Sequence, residues 1–276
     1  MRVMRASVVA LTAAAGLVAL AAAGTASAGD PFVPPPQNIN RAGKVVYCSD
    51  ITYPPEEFYR GAVAVGSDVD IGTAVARQMG VKASFRNTGF DGIVAALFSH
   101  RCDAIISGMT DTPARRKQVS FVDYLNVGMS LMVKKGNAAH ISDLAGLSGH
   151  SVAVEVGTTE KDVLSKENAI LAKQSRKPIA IHVFSRDTDA ATALATGKVD
   201  AYFADSPPVA YYISKAPGQF AFGGPQINAA PIGIAVRRSD TPLRHAIAQA
   251  IQRIYADGSM KHILAQWKMS AFALQE

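Results

Sequence analysis

The chain has 276 residues, 49% hydrophobic and 18% charged, enough to bury one large core or two modest ones. Its 28 basic and 22 acidic side chains give a net charge of +6, and the basic residues are dispersed, densest at Arg115-Arg116-Lys117, Lys134-Lys135 and Arg237-Arg238. None of these spots is interleaved with aromatics in the manner of a nucleic-acid surface, which excludes nucleic acid as a partner.

Residues 1–28 predict a cleaved secretory signal peptide. Arg2 and Arg5 form a positive head, residues 7–24 are apolar and uncharged, and Ala26-Ser27-Ala28 supplies an A-x-A exit, with cleavage after Ala28. An uncleaved anchor fits less well, because the run is short and alanine-rich for a spanning helix and no basic stop-transfer cluster follows it. No cysteine stands at the cleavage site to carry a lipid, and no second long apolar run follows. The mature chain of about 248 residues, net charge about +4, is therefore expected free in a periplasm. Residues 29–42, with Pro31, Pro34, Pro35 and Pro36, read as an extended leader without a core pattern, so order is expected from Lys44.

Short apolar strands and amphipathic helices then alternate. Residues 45–48 predict a strand. Residues 68–79 predict a helix, with Ile71, Ala74, Val75 and Met79 on one face and Gly80 as its stop. A strand over 81–85, a helix over 91–98 and a strand over 103–107 follow. After a less regular stretch come strand 152–156, a helix from about Thr159, strand 179–184, helix 187–196 and strand 200–204. Residues 241–256 and 259–267 predict two closing helices. The alternation implies an α/β chain with parallel sheets covered on both faces.

A short pattern repeats. Residues 96–104 run from a helix end through a basic turn into Asp103-Ala104, and about 97 residues later 193–201 do the same into Asp200-Ala201. The simplest reading is two lobes of similar build, each with its own small sheet. The two cysteines, Cys48 and Cys102, fall in apolar strand-like segments. An oxidising compartment permits a bridge, but Cys48 near the end of one strand and Cys102 at the start of another favour two buried free thiols beyond disulfide reach.

Ligands of open α/β sheets bind beyond the carboxyl ends of the strands, and here those ends are polar. They carry Ser49-Asp50, Ser107-Gly108-Met109-Thr110 with Arg115 just beyond, Thr158-Thr159 at a helix start, and Asp205. These types suit a zwitterion. Arg115 can grip a carboxylate by two hydrogen bonds. Gly108 lets backbone approach closely. Thr158 and Thr159 stand where free N–H groups favour an anion. Asp205 offers charge to an ammonium, and Tyr53 and Phe90 offer flat apolar surface. Each has a plainer alternative: a solvated basic turn for Arg115, helix capping for Thr158 and Thr159, a turn for Asp205, core for Phe90. The six histidines are scattered, with no metal-binding spacing and no nucleophile motif, so no metal, cofactor or catalytic residue is expected.

At residues 48–55 (through Tyr53-Pro54-Pro55), 90–93, 107–110, 112–117, 156–159, 199–201, 205–207 and 233–236 the chain resembles the periplasmic amino-acid-binding proteins of ABC importers, the family 3 solute-binding proteins. The resemblance covers about residues 44–267. It implies a type II periplasmic-binding-protein fold. Lobe 1 would span 43–127 and 231–276, lobe 2 would span 128–230, and two crossing strands would flank a cleft. It implies that Arg115, with Thr110 and backbone near Thr159, holds a ligand α-carboxylate. Asp205 and the Gly108 carbonyl would hold the α-ammonium. Asp50, Tyr53 and Phe90 would line the side-chain end, and Ser107 and Thr158 complete the candidate ligand-binding set. A monomer is implied that carries a free amino acid to a permease of the inner membrane. Two departures stand out. Glu56 replaces an aromatic after Tyr-Pro-Pro, and Pro231-Ile232 precedes Gly233 where the family often has an aromatic. A Glu56 facing the cleft would favour a basic or polar ligand. The competing readings are a cyclohexadienyl-dehydratase-like enzyme using Glu56 or Asp111 as an acid, and a sensory protein that docks a receptor.

Overall fold

The computed structural model describes residues 33–274. The signal-peptide reading and the first residues of the leader lie outside the described residues. A short helix α1 (Gln37–Ala42) opens the fold and leads into β1 (Lys44–Ser49). A three-stranded meander follows, β2 (Thr52–Tyr53), β3 (Glu57–Arg60) and β4 (Val63–Val65). Then come α2 (Ser67–Gln78), β5 (Lys82–Asn87), a 3-10 turn over Phe90–Gly92, α3 (Ile93–Phe98), β6 (Ala104–Ile105) and α4 (Pro113–Arg116). The long strand β7 (Val119–Lys134) leads into β8 (Ser151–Glu155), α5 (Thr159–Lys173), β9 (Ala180–Phe184), α6 (Asp187–Ala195), β10 (Ala201–Asp205), α7 (Ser206–Lys215) and β11 (Phe220–Phe222). A second long strand, β12 (Ile227–Arg237), returns to α8 (Thr241–Ala256) and α9 (Ser259–Gln266).

The main sheet runs β5-β1-β6-β12-β7-β10-β8-β9, with β11 beside β7. β1 pairs in parallel with β5 and β6, and β8 with β9 and β10. The long strands β7 and β12 are antiparallel to each other and to their neighbours β10 and β6. Two α/β lobes are thus joined through two crossing strands, and the separate small sheets expected from the sequence are one continuous ladder. The crossing strands pair with both sides and close the gap.

Period-2 alternation sorts the strand side chains onto two faces. In the first lobe, Val45, Tyr47, Ile234 and Val236 pack with α2, α8 and α9, while Cys48, Ile105 and Ala235 pack with α3. In the second, Leu131, Val152 and Phe203 pack against Leu164 and Leu171 of α5, while Met132, Ala153 and Tyr202 pack against α6 and α7. The hydrophobic clusters divide between Val127 and Met129.

Two expectations are corrected. Order does not wait for Lys44: Val33 and Ile39 are buried in the first-lobe core, and the Val33 amide bonds the Gln78 carbonyl at 3.0 Å. Two apolar side chains among prolines carry too little periodicity to announce themselves. Cys48 and Cys102 are bridged, with Cα atoms 5.6 Å apart. Cys102 lies between bends at Arg101 and Asp103 before β6, not on its straight extension, so an offset judged from ideal strands overstates the separation.

The repeated pattern has a structural cause. β6 lies between a parallel strand and a crossing strand in one lobe, and β10 does so in the other. In each, the Asp before the strand ties down its parallel neighbour. The Asp103 carboxylate accepts from the Val46 amide at 2.8 Å, and the Asp200 carboxylate from the Ser151 amide at 2.8 Å.

Candidate ligand cleft

The carboxyl ends of β1, β6, β8 and β10 meet around a narrow cavity between the lobes, with about 20 Å³ of open room. Ten of the eleven residues singled out from the sequence line it: Asp50, Tyr53, Phe90, Ser107, Gly108, Thr110, Arg115, Thr158, Thr159 and Asp205. Two lining residues, Glu155 and Glu160, were not anticipated. Glu155 ends an apolar strand and Glu160 sits in the first turn of a helix, where an acid is ordinary dipole chemistry. The signal that could have found them is their place at the strand end beside Thr158 and Thr159.

Local chemistry fixes each side chain. Asp50 follows β1, accepting from the Thr52 hydroxyl at 2.7 Å and from the Phe90 amide at 2.8 Å. The Asp50 amide in turn donates to the Ser107 hydroxyl at 2.9 Å, which donates to Glu57 at 2.6 Å. Gly108 has φ +51°, and a Cβ there would stand 3.3 Å from the Tyr53 ring, so a side chain is unwelcome on both counts. Its amide is held at 2.9 Å by Asp68, which also accepts from the Tyr124 hydroxyl. α4 places Arg115, with Pro113 in the first turn and Thr112 capping the Arg115 amide at 3.2 Å. The Thr158 side chain does not cap α5; its hydroxyl donates to the Glu155 carbonyl at 2.8 Å.

Three polar contacts cross the cleft. The Asp205 amide donates to the Tyr53 hydroxyl at 3.1 Å, and the Thr110 and Thr159 hydroxyls lie 3.4 Å apart. The Arg115 guanidinium donates to the Thr110 carbonyl at 2.9 Å on its own side and to the Gly157 carbonyl at 3.1 Å opposite, 5.3 Å above the Phe90 ring. Gly157 comes so close that a Cβ would stand 3.2 Å from the Asp91 Cα.

The charge balance is one-sided. Asp50, Glu155, Glu160 and Asp205 face one cation, Arg115. Asp50 lies beside Glu155 and Asp205 beside Glu160, like charge against like charge. Burial, then Asp187 and Asp50, push Glu155 up to about 10. Burial and Glu160 hold Asp205 well above the usual carboxylate range, and burial raises Asp50 and Glu160. Behind the wall Asp187 is raised to about 7 by burial, against the pull of hydroxyl donors from Tyr202 and Tyr212. Burial also lowers the Arg115 pKa, with Glu160 and Asp205 opposing.

Glu56 does not line the cavity. It is fully buried with both oxygens unpartnered, and burial together with Asp68 and Asp205 raises its pKa well above the carboxylate norm. It faces neither cleft nor solvent, because its backbone is bound into the turn before α2, its carbonyl accepting from the Asp68 amide at 2.9 Å. Asp111 is likewise off the cavity, forked to Arg116 at 2.6 Å. Among the described residues no cluster is arranged to hold a metal ion, and no helix is long and apolar enough to cross a membrane.

Known proteins show the same architecture. The L-cystine-binding protein TcyJ of Escherichia coli K12 is 26% identical over 83% of this chain and 84% of its own length. The L-arginine-binding protein of Pseudomonas aeruginosa is 32% identical over 72% of this chain and 77% of its own. The solved structure of an ancestral amino-acid-binding protein described as a precursor of cyclohexadienyl dehydratase superposes with a TM-score of 0.75. It is 30% identical and covers 83% of this chain and 97% of that one. The family model of bacterial extracellular solute-binding proteins, family 3, matches residues 45–270, and the chain belongs to that family.

Proposed function

We propose that this protein captures a free basic amino acid in the cleft and delivers it to an ABC permease. The observation that carries the reading is the cleft's four carboxyls against one guanidinium. Buried like charges are costly unless paired. A diamino acid brings two cations and one carboxylate, which matches the sites present. Its α-carboxylate would lie on Arg115, the Thr110 hydroxyl and the amides opening α5. Its α-ammonium would lie on Asp205 and Glu160 with the Gly108 carbonyl. Its side-chain cation would reach Asp50 and Glu155, between Tyr53 and Phe90. A cystine would bring a second carboxylate together with its second ammonium to Asp50 and Glu155, where that carboxylate finds no cation, so it is expected to bind less well. The lobes are taken as 43–127 with 231–276, and 128–230, which the division of the hydrophobic clusters supports. The protein acts as a periplasmic monomer after loss of residues 1–28.

The test is calorimetric titration with arginine, lysine, ornithine, glutamine, glutamate and cystine. Tight binding confined to the first three is expected, and a preference for glutamate or cystine would remove the charge argument. Arg115→Ala should weaken arginine at least about 30-fold, since truncating one partner of a buried charge pair costs about 2–5 kcal/mol. The dehydratase alternative loses both acids first considered for it, since Glu56 and Asp111 lie off the cavity. Release of product from prephenate or arogenate would restore it.

A further inference from the structure

A second cavity, of about 400 Å³, lies outside the cleft between α7 and the chain that follows α9. Its walls come from both lobes. Phe58 and Arg60 of β3, with Trp267 and Lys268 after α9, belong to the first; Tyr211 and Lys215 of α7 belong to the second. The Phe58 ring stands at the junction, 5.6 Å from Tyr211 and 5.8 Å from Trp267. Trp267 is fixed by a 2.7 Å hydrogen bond from its indole N–H to Asp70. Three cations line this cavity and no carboxylate does. Among the described residues none of Arg60, Lys215 and Lys268 is in an ion pair. The Lys215 ammonium lies 5.3 Å over the Tyr211 ring.

An aromatic floor rimmed by unneutralised cations is the reverse of the acidic cleft, and one molecule cannot suit both. A flat apolar body would gain offset or edge contacts with the three rings, and a carboxylate would gain charge-assisted bonds from the rim. We propose that this cavity is a second ligand site, for an aromatic carboxylate, and that its occupant strengthens amino-acid binding in the cleft. An occupant touching both walls favours the lobe arrangement that sets this wall spacing, the same arrangement in which Tyr53 meets Asp205 and Arg115 meets Gly157. Coupling of this kind is reciprocal. The coupling rests on the amino-acid reading of the cleft; the site itself does not.

Trp267 is the chain's single tryptophan, so intrinsic fluorescence reports this cavity. The exported chain is titrated with 3-phenylpropionate and, as a neutral counterpart of similar size, 3-phenylpropanol. Expected are a saturable change in Trp267 emission with the acid and none with the alcohol over the same range. An Arg60→Glu/Lys215→Glu double variant should weaken the response at least about tenfold, the equivalent of 1.4 kcal/mol. Should that variant fail to fold, Arg60→Gln/Lys215→Gln replaces it. An equal response to the alcohol, an unchanged response in the folded variant, or no saturable response to the acid overturns the site. Calorimetry with L-arginine at saturating 3-phenylpropionate should show about fivefold tighter binding or more. Unchanged arginine affinity overturns the coupling. Failure of every amino acid to bind, with the Trp267 response intact, overturns the proposed function and leaves the second site standing.

Discussion

Glu155 and Asp50 stand at the end of the cleft assigned to the ligand side chain, where their like charges lie side by side until a cation arrives. Glu155→Gln keeps the shape and removes the charge. It should weaken arginine and lysine by about ten- to a hundredfold, since hydrogen bonds to charged groups contribute about 1.5–3 kcal/mol. Glutamine binding, measured by the same calorimetry, should change little. The sequence already displayed most of this site, because Arg115, Asp205 and the Thr158-Thr159 pair have types that stand out at strand ends. Glu155 and Glu160 did not stand out, since an acid near a helix start has an ordinary reason to be there. Glu56 misled in the other direction. A glutamate beside Tyr53-Pro54-Pro55 looks like a cleft residue, yet the turn into α2 folds it away from the cavity.

Element by element, the strands and helices with strong periodicity were legible: β1, α2, β8, α6, α8 and α9 fall within a residue or two of their expected limits. β7 was not, because a strand crossing from one core to another changes its buried face on the way and shows no steady alternation. The Cys48–Cys102 bridge was missed for a related reason, since bends at Arg101 and Asp103 on either side of Cys102 break the strand line that the sequence suggests. The bridge closes a loop with a sequence separation of 54. On chain-entropy grounds such a loop is worth about 4 kcal/mol. A Cys48→Ala/Cys102→Ala variant should therefore lose a comparable amount in urea unfolding. A loss below about 1 kcal/mol would show that the first-lobe core holds this corner without it.

Taken as a whole, the ligand-free molecule carries a cluster of carboxyls that burial makes harder to ionise. Glu155, near 10, and Asp187, near 7, hold protons that the unfolded chain releases from about pH 4 upward. Their contribution to stability is greatest below the unfolded pKa and is lost as pH rises toward the folded values. The melting temperature without ligand should thus rise between pH 8 and pH 5. Arginine binding should run the opposite way, weaker at pH 5, because the cation must displace the proton on Glu155. A scan of melting temperature against pH, with and without arginine, checks both trends. Parallel rises with and without ligand would show that the cleft carboxyls are not what the ligand meets.

The ladder between β7 and β12 also has a flaw in it. Its register slips between Ile227 and Ala230 and again between Ile232 and Gly233. Between the slips sits Pro231, opposite Asn126, with no N–H to give. A continuous sheet resists bending everywhere except along such a crease, so compliance should concentrate at these few residues. The loop that lines the cleft hangs from the same place: the Asp111 amide bonds the Pro231 carbonyl at 2.9 Å, and the Gly233 amide bonds the Met109 carbonyl at 3.0 Å. Folding the molecule along that line tilts Gly108 and Thr110 directly, with no linkage in between. Deuterium uptake along β7 should accordingly be fastest from Asp123 to Val127 in the empty protein and slow most there once the cleft is filled.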